Sequence, residues 1–372
     1  MTSYPAIFGY GNQGADEPMK IGVEAGAAYE CLLTLHVITC VGDYEAYTVG
    51  RAWFDAARAA AGPELLADIE RFTAGSDTVW DRLLGLTSTV PAPHDVSALL
   101  AHLEATDARE IRLHLLGYYD RSCRHTTPAE TILRAAEGDD EAQRTYLKAA
   151  SLSNDIPWRS ALRHLLEQDA AAMKMQLLAI LSRWYALVFR RQEDEVMPAL
   201  VADAKAKSAL AKQMSLQRLI LLATQDYEYV LEPGVQRVIL IPTAIMRPWT
   251  VLASLPDTRL ICYPLASEDG KRHGDAPPDQ LVQLYKALGD ERRLHILKKL
   301  ATESYTLQEL SDLFGIGKTT MLHHLVVLRG AGLIEVREPG KHYRLRAEML
   351  PRAAEQLRAY LGASADPSGA TQ

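Results

Sequence analysis

The chain has 372 residues, of which 48% are hydrophobic and 23% are charged, and its formal net charge is −7. This composition excludes a disordered or fibrous protein, and the length allows two or three domains with a substantial core. No apolar run reaches the length of a membrane span, and the first residues lack the basic start and apolar centre of a secretory signal. We therefore expect a cytoplasmic protein with no membrane partner. The four scattered cysteines fit a reducing compartment.

The first motif is the glycine pattern "GYGNQG", with Gly9, Gly11 and Gly14 at the spacing of a dinucleotide-binding loop. Such a loop needs a strand before it and a helix after it. Only the short run "YPAIF" precedes these glycines, and Pro18 follows soon after. A flexible N-terminal segment is the stronger interpretation, and we expect no cofactor.

Two cysteine–histidine pairs offer metal ligands. His36 and Cys40 are four residues apart on a predicted apolar helix, and Cys123 and His125 lie together later in the chain. If the pairs converged, their thiolates and imidazoles would suit a borderline metal. The alternative is that His36, Cys40 and Cys31 are packing residues, since free cysteine is often buried. No zinc-type C-x-x-C occurs, so we favour packing and predict no metal site.

Residues 1–266 are predicted to form a mainly α-helical domain, with a regulatory or dimerisation role and an unknown ligand. Apolar residues recur at helical spacing in 95–106, 158–191 and 215–225. Two β-type runs, 236–243 and 258–265, interrupt this pattern and predict a small hairpin or edge sheet.

Aromatic clusters in this region have two interpretations, as an effector pocket or as core. We favour core for the three pairs, which are Tyr118 with Tyr119, Trp184 with Tyr185, and Tyr227 with Tyr229.

A polar stretch rich in glycine and proline, residues 267–278, predicts a linker between two domains. The segment 277–362, which begins at the end of this linker, holds 13 Lys and Arg against 10 Asp and Glu, so it carries +3 while the remainder carries −10. Only this segment has the net positive charge that suits binding to a polyanion. The last ten residues, 363–372, have too little apolar content to pack and are expected to be disordered.

The segment 279–362 predicts helix, helix, helix, turn, helix, hairpin and helix. Asp290 is a natural N-cap, and Leu294, Leu297 and Leu300 are expected to point inward from the helix it begins. Thr306 and Glu309 form a T-x-x-E capping box. The last helix has an apolar face formed by Leu350, Ala354, Leu357 and Leu361.

This order is that of a winged helix-turn-helix, whose second helix fits the major groove and whose hairpin reaches the adjacent backbone. The predicted DNA-binding residues of the second helix are Lys318, Thr319, Thr320, Leu322, His323 and Arg329. Those of the wing are Arg337, Lys341, His342 and Arg344.

The run Gly317, Lys318, Thr319 also matches the end of a phosphate-binding P-loop. That loop requires an earlier glycine and a strand upstream, but Asp312 stands at the glycine position and the upstream pattern is helical. We therefore favour the turn of a helix-turn-helix.

The stretches "LYKALGDERRLHILKKL" and "YTLQELSDLFGIGKTTMLHHLVVLRGAGLIEVREPGKHYRLR" resemble the DNA-binding domain of ArsR-type transcriptional regulators. The resemblance implies a dimer formed through the first and last helices of the domain, an imperfect palindromic operator, and repression. It places the recognition positions on Lys318, Thr319, Leu322 and His323. Leu322 stands where many members have serine, so contact with a thymine methyl would replace a hydrogen bond there.

The metal-sensing members of this family carry a cysteine pair in the helix before the turn. This chain has Thr306, Leu307 and Gln308 there, and no His or Cys in its last helix. The resemblance therefore does not imply metal sensing at those positions.

These observations predict a homodimeric repressor of transcription that binds double-stranded DNA, with a long helical N-terminal extension that senses a small molecule or protein. Two alternatives remain: a DNA-bridging protein without an effector, and an enzyme whose winged helix docks a partner. No catalytic triad or paired-carboxylate pattern supports an enzyme.

Overall fold

The structure is a computed structural model that describes residues 19–40, 47–151, 156–224, 229, 232–265, 277, 279–337, 342–347 and 349–362. The predicted linker, the N-terminal glycine motif, the predicted disordered tail and Tyr227 therefore lie wholly or mostly outside the described residues. Within the described part, no helix has both the length and the apolar character needed to cross a bilayer.

The N-terminal part is mainly α-helical, as the sequence predicts. Strand β1 spans Lys20–Val23. The helices that follow are α1 (Ala27–Thr39), α2 (Gly50–Thr73), α3 (Thr78–Thr87), α4 (Val96–Ala105), α5 (Ala108–Leu115), α6 (Arg121–Thr126), α7 (Ala129–Ala136), α8 (Asp140–Ala150), α9 (Ile156–Glu167), α10 (Ala170–Trp184), a π-helical turn (Tyr185–Phe189), α11 (Arg190–Leu210) and α12 (Leu216–Thr224).

Several of these helices begin at an aspartate for a common physical reason. The side chains of Asp95, Asp107, Asp120, Asp139 and Asp169 each accept a hydrogen bond from a backbone N–H in the following first turn. Such a cap satisfies a donor that has no partner inside the helix. The cap at Asp169 divides the predicted continuous helix 158–191 into α9 and α10.

Three further strands complete a four-stranded sheet, in the order β1-β2-β4-β3. They are β2 (Arg237–Thr243), β3 (Val251–Ser254) and β4 (Thr258–Pro264). The predicted hairpin of the two β-type runs is wrong, because β2 and β4 pair in parallel at the centre of the sheet. The antiparallel neighbour of β4 is the short β3, which lies between the two runs in sequence.

Helices cover both faces of the sheet, which explains why β2 and β4 read as continuous apolar runs. On one face Ile239, Ile241, Leu260 and Cys262 join the main helical core. On the other face lie Val238, Leu240, Ile261 and Tyr263, which pack with α12 in a separate cluster. Helix α1 is central to the main core, since all thirteen of its residues are buried.

The C-terminal unit has the predicted winged helix-turn-helix order. Its elements are α13 (Asp279–Leu288), α14 (Glu291–Leu300), α15 (Leu307–Phe314), α16 (Lys318–Gly330), β5 (Ile334–Arg337), β6 (His342–Leu345) and α17 (Met349–Leu361). Strands β5 and β6 pair antiparallel, and Tyr305 extends this wing through a bridge to Tyr343. The buried apolar residues of the unit form a core of their own.

The predicted caps of this unit are confirmed, whereas one predicted core position is wrong. Asp290 caps α14, and Thr306 with Glu309 forms the capping box of α15. Leu294 is 47% exposed, because the buried stripe of α14 runs through Ile296, Leu297 and Leu300.

Candidate DNA-binding surface

The turn before α16 sets the direction of that helix. Helix α15 ends at Gly315, whose φ of 63° lies in the left-handed region that glycine adopts at no steric cost. Gly317 is then the N-cap of α16 and contributes no side-chain hydrogen bond. Because a helix and not a strand precedes this turn, and because Gly317 starts a new helix, the P-loop interpretation is excluded.

Helix α16 is fixed by one buried stripe and presents another face to solvent. Met321, Leu325 and Leu328 are buried in the core of the unit. Lys318 and Thr320 are exposed at the start of the helix. The side chain of Thr319 lies outside what the structure describes.

Leu322 and His323 continue this outer surface. Leu322 is 41% exposed, and His323 is half-buried. An exposed leucine on a helix that otherwise buries its apolar residues offers contact to an apolar group such as a thymine methyl. The structure therefore brings Lys318, Thr320, Leu322 and His323 together on the N-terminal half of α16.

The wing contributes a second group of predicted residues. Arg344 is exposed and His342 is half-buried on β6. Hydrogen bonding to the backbone and side chain of Thr306 lowers the pKa of Glu309, and His342 lowers it further by its charge. The bridge between Tyr305 and Tyr343 places the wing close to the start of α15. Lys341 and the side chain of Arg337 are outside the described residues.

Arg329 is the predicted residue that the structure places elsewhere. It lies at the C-terminal end of α16, where its guanidinium stacks over the ring of Trp249 at 5.3 Å from the ring centroid. Trp249 belongs to the N-terminal part, between β2 and β3. We therefore assign Arg329 to the contact between the two parts of the chain and leave it out of the proposed DNA surface.

Two further titratable residues of this unit are Asp290, the N-cap of α14, and His324, which is buried on α16. A hydrogen bond from the backbone N–H of Arg293 holds the pKa of Asp290 below its usual value. His324 is buried on the inner side of α16, and burial lowers the pKa of its imidazole. The inner histidine is therefore expected to be neutral at pH 7, and of the two adjacent histidines His323 is the more exposed.

The cysteine–histidine pairs do not converge as a set of four. His36 and Cys40 lie beside Asp77, whereas Cys123 is buried and accepts a hydrogen bond from Arg82 at 3.1 Å. His125 is exposed on α6. The missed partner, Asp77, is 37 residues from Cys40 in sequence, so no local pattern identifies it.

Sequence reasoning also missed a cavity of about 400 Å³ between the two parts of the chain. Four arginines line it: Arg247 from the N-terminal part, and Arg329, Arg346 and Arg352 from the C-terminal unit. Its described lining contains no carboxylate. These arginines are spread over more than a hundred residues, so only the fold shows that they share a cavity.

Comparison with known proteins adds a family to this geometry. Residues 290–336 match the model of the bacterial regulatory protein family arsR. Over 76 residues the chain is 34% identical to the HTH-type transcriptional regulator Rv0324 of Mycobacterium tuberculosis. That match covers 20% of this chain and 34% of the relative, so the chain spans about a third of the relative's length.

A solved structure also shares sequence with this unit. It is the solution NMR structure of the homodimeric winged helix-turn-helix DNA-binding domain of Mb0332 from Mycobacterium bovis, a possible ArsR-family transcriptional regulator. The sequences are 27% identical, with 25% of this chain and 89% of that chain covered, and the TM-score is 0.19. The residues that match this family model, 290–336, contain the observed helix-turn-helix, and over this segment the chain is similar to bacterial regulatory proteins of the ArsR family.

Proposed function

We propose that this protein is a sequence-specific transcriptional regulator that binds double-stranded DNA as a homodimer and represses transcription by occupying an operator. The observation that carries this proposal is the outer surface of α16, where Lys318, Thr320, Leu322 and His323 are accessible above a buried apolar stripe. A helix held in this way places base-reading side chains in a major groove. We propose that Arg344, which is exposed on the wing, contacts a phosphate.

The dimer is proposed from the apolar face of α17. Leu350 is 43% exposed, Leu361 is 64% exposed, and Ala354 between them is exposed as well. Burying such a stripe against a second copy would remove apolar surface from water, which is the main driving force of association. Tyr285 of α13 donates a hydrogen bond to the backbone oxygen of Ala353 at 3.3 Å, so the first and last helices of the unit form one surface. The solved relative is described as homodimeric.

Two copies related by a two-fold axis would read two half-sites, so the operator is expected to be an inverted repeat. Genome-wide footprinting combined with light scattering tests this. We expect discrete protected sites containing an inverted repeat, and a particle of twice the 41.1 kDa chain mass. Binding without sequence preference and governed by salt would instead identify a DNA-bridging protein.

The N-terminal part is proposed to sense an anionic effector in the arginine-lined cavity. Four arginines around one space favour a phosphate or carboxylate ligand, because each guanidinium offers several donors in a planar fork. The Nε of Arg247 and the Oε1 of Gln356 are buried and accept or donate no hydrogen bond within the described residues. Buried polar atoms of this kind are usually satisfied by a ligand or water.

We propose that the cavity couples an effector to DNA binding. It is bounded by the C-terminal end of α16 and by α17, and the Nε2 of Gln283 on α13 donates a hydrogen bond to Thr48 Oγ1 at 3.3 Å. Val326 of α16 also packs against the N-terminal core. A ligand that fills this space would change how α16 and the dimer helix lie against the N-terminal part, and thus the spacing of the two recognition helices.

We expect Arg247→Gln/Arg352→Gln to bind the operator normally but to lose its response to anions. Operator release is measured by fluorescence anisotropy against a panel of phosphorylated and carboxylated metabolites. Each lost charged hydrogen bond is worth about 1.5–3 kcal/mol, so the effective concentration should rise at least about tenfold. Arg191→Gln, an exposed arginine outside the cavity, is the matched control. An equal response of both variants would contradict the effector site.

A further inference from the structure

A compact group of three ligand atoms lies where α1 ends and α3 begins. His36 and Cys40 are four residues apart and so lie on the same side of α1 and its C-cap. Asp77, just before α3, faces both of them. The nitrogen, sulfur and carboxylate oxygen that they offer all lie within 4.8 Å of one another.

The individual distances are close to those of a metal site. Cys40 Sγ donates to Asp77 Oδ2 at 2.9 Å, and His36 Nε2 is 3.9 Å from the same oxygen. In a tetrahedral zinc site with ordinary bond lengths, neighbouring ligand atoms are about 3.3–3.7 Å apart. Shifts of less than about 1 Å would therefore complete the geometry.

A fourth residue orients the histidine. Asp81 Oδ1 lies 2.9 Å from His36 Nδ1, whereas the other ring nitrogen, Nε2, is the one near Asp77. A carboxylate bound to one ring nitrogen fixes the imidazole so that the other nitrogen faces the ion, and this arrangement recurs at metal-binding histidines. Asp81 thus lies where a carboxylate that orients a metal-binding histidine would lie. A purely apolar packing role for His36 would not require such a carboxylate.

The group is reachable from solvent. The side chain of His36 is 10% exposed, while that of Asp77 is 38% exposed and Cys40 is half-buried. An ion would approach along Asp77 and meet Cys40 and His36 behind it. This position, partly open on one side, differs from that of the fully buried Cys31 and Cys262.

We propose that His36, Cys40 and Asp77 bind one divalent metal ion of the zinc class, with the fourth coordination position left to water or a small ligand. One nitrogen, one sulfur and one oxygen donor suit borderline ions of this class. Binding forms bonds from the metal to Cys40 Sγ, His36 Nε2 and an Asp77 carboxylate oxygen. The thiol proton, and a proton on His36 Nε2 where one is bound, pass to solvent, and the water molecules that these ligands replace leave the ion.

The site is also connected to the C-terminal unit, and this part of the inference rests on the proposed function. Tyr47 OH donates to Cys40 Sγ at 3.5 Å, and the next residue, Thr48, accepts the hydrogen bond from Gln283 of α13. Loading the thiolate with a metal removes or reorients the Tyr47 contact. The metal is therefore expected to shift operator affinity, in addition to any anionic effector.

Metal binding is tested on the full chain without DNA, so its outcome is independent of the proposed function. The metal-free protein is titrated with Co²⁺, and thiolate-to-cobalt charge-transfer absorption is recorded, followed by displacement with Zn²⁺. We expect one equivalent per chain with tetrahedral cobalt bands. Cys31→Ala, a buried cysteine of α1 outside the group, should titrate as the natural chain does.

Three variants distinguish a metal site from a buried polar cluster. Cys40→Ser should lose the charge-transfer band. Asp77→Asn keeps an oxygen acceptor for Cys40 and should bind at least about tenfold more weakly, while Asp81→Asn should lose about 10–100-fold in affinity. Circular dichroism confirms that each variant is folded. Absence of the band in the natural chain, or an equal band in Cys40→Ser, would overturn the inference.

Discussion

Replacing both Lys318 and His323 with alanine is expected to weaken operator binding about 100-fold while leaving the protein folded. A base or phosphate contact of this kind is worth about 1–3 kcal/mol, and two of them lost together reach this factor. Both residues lie on the outer surface of α16 and make no contribution to its buried stripe. Fluorescence anisotropy with a labelled operator at fixed salt measures the change. The slope of log affinity against log salt concentration should also become less steep by about one unit.

The matched control replaces a lysine and a histidine of the N-terminal part. Lys205 on α11 and His125 on α6 are both exposed, so Lys205→Ala/His125→Ala removes the same side chains from another surface. Its affinity should equal that of the natural chain. If the control lost as much affinity as the α16 variant, binding would reflect general charge and not the proposed surface.

Asp120→Asn is expected to lower the free energy of unfolding by about 3–5 kcal/mol, because it leaves a buried arginine without its counterion. Asp120 Oδ2 lies 2.7 Å from Arg82 Nη1, and both side chains are almost fully buried. Ser254 of β3 donates to the same oxygen at 3.0 Å, so this ion pair joins the helices to the sheet. Asparagine keeps the N-cap of α6 and nearly the same shape. Urea denaturation measures the difference.

The pH dependence of this variant provides a second test. Burial raises the pKa of Asp120, but the Arg82 charge and hydrogen bonds lower it by more, so the net shift is below the ordinary value of 3.8. A carboxyl with a lowered pKa in the folded state stabilises the protein above the unfolded pKa and loses that contribution as the pH falls through the folded pKa. The difference in the free energy of unfolding between the natural chain and the variant should therefore have its full size above pH 3.8 and shrink below it.

Asp139→Asn is the control for the ion pair. Asp139 pairs with Arg134 at the surface and caps α8, and asparagine retains that cap. Solvent screens an exposed pair, so its denaturation curve should coincide with that of the natural chain. A destabilisation as large as that of Asp120→Asn would mean that burial is not the cause of the Asp120 effect.

The C-terminal unit could be predicted from sequence because its signals are local. The capping box at Thr306 and the N-cap Asp290 each act within four residues, and each is found where the pattern predicts it. Leu294 shows the limit of this reasoning. A helix turns about 100° per residue, which puts Leu294 about 110° from the centre of the stripe through Ile296, Leu297 and Leu300. The three-residue spacing of Leu294, Leu297 and Leu300 does not by itself show that Leu294 is exposed.

The N-terminal sheet could not be predicted because its pairing is not local. Strand β1 lies beside β2 although Lys20 and Arg237 are far apart in the chain. Strand β2 pairs with β4 although β3 lies between them in sequence. Nothing in either β-type run specifies parallel over antiparallel pairing. The same reason applies to Asp77 beside Cys40 and to the arginines of the cavity, since folding alone brings these residues together.

Selection of bound duplexes from a random DNA library tests the central claim most directly. The natural chain is expected to enrich a short inverted repeat whose two half-sites are separated by about one helical turn, as two recognition helices on one DNA face require. The Lys318→Ala/His323→Ala variant, selected in parallel, should not recover that repeat. Recovery of no motif by the natural chain, or of the same motif by both proteins, would contradict the claim that α16 reads the operator.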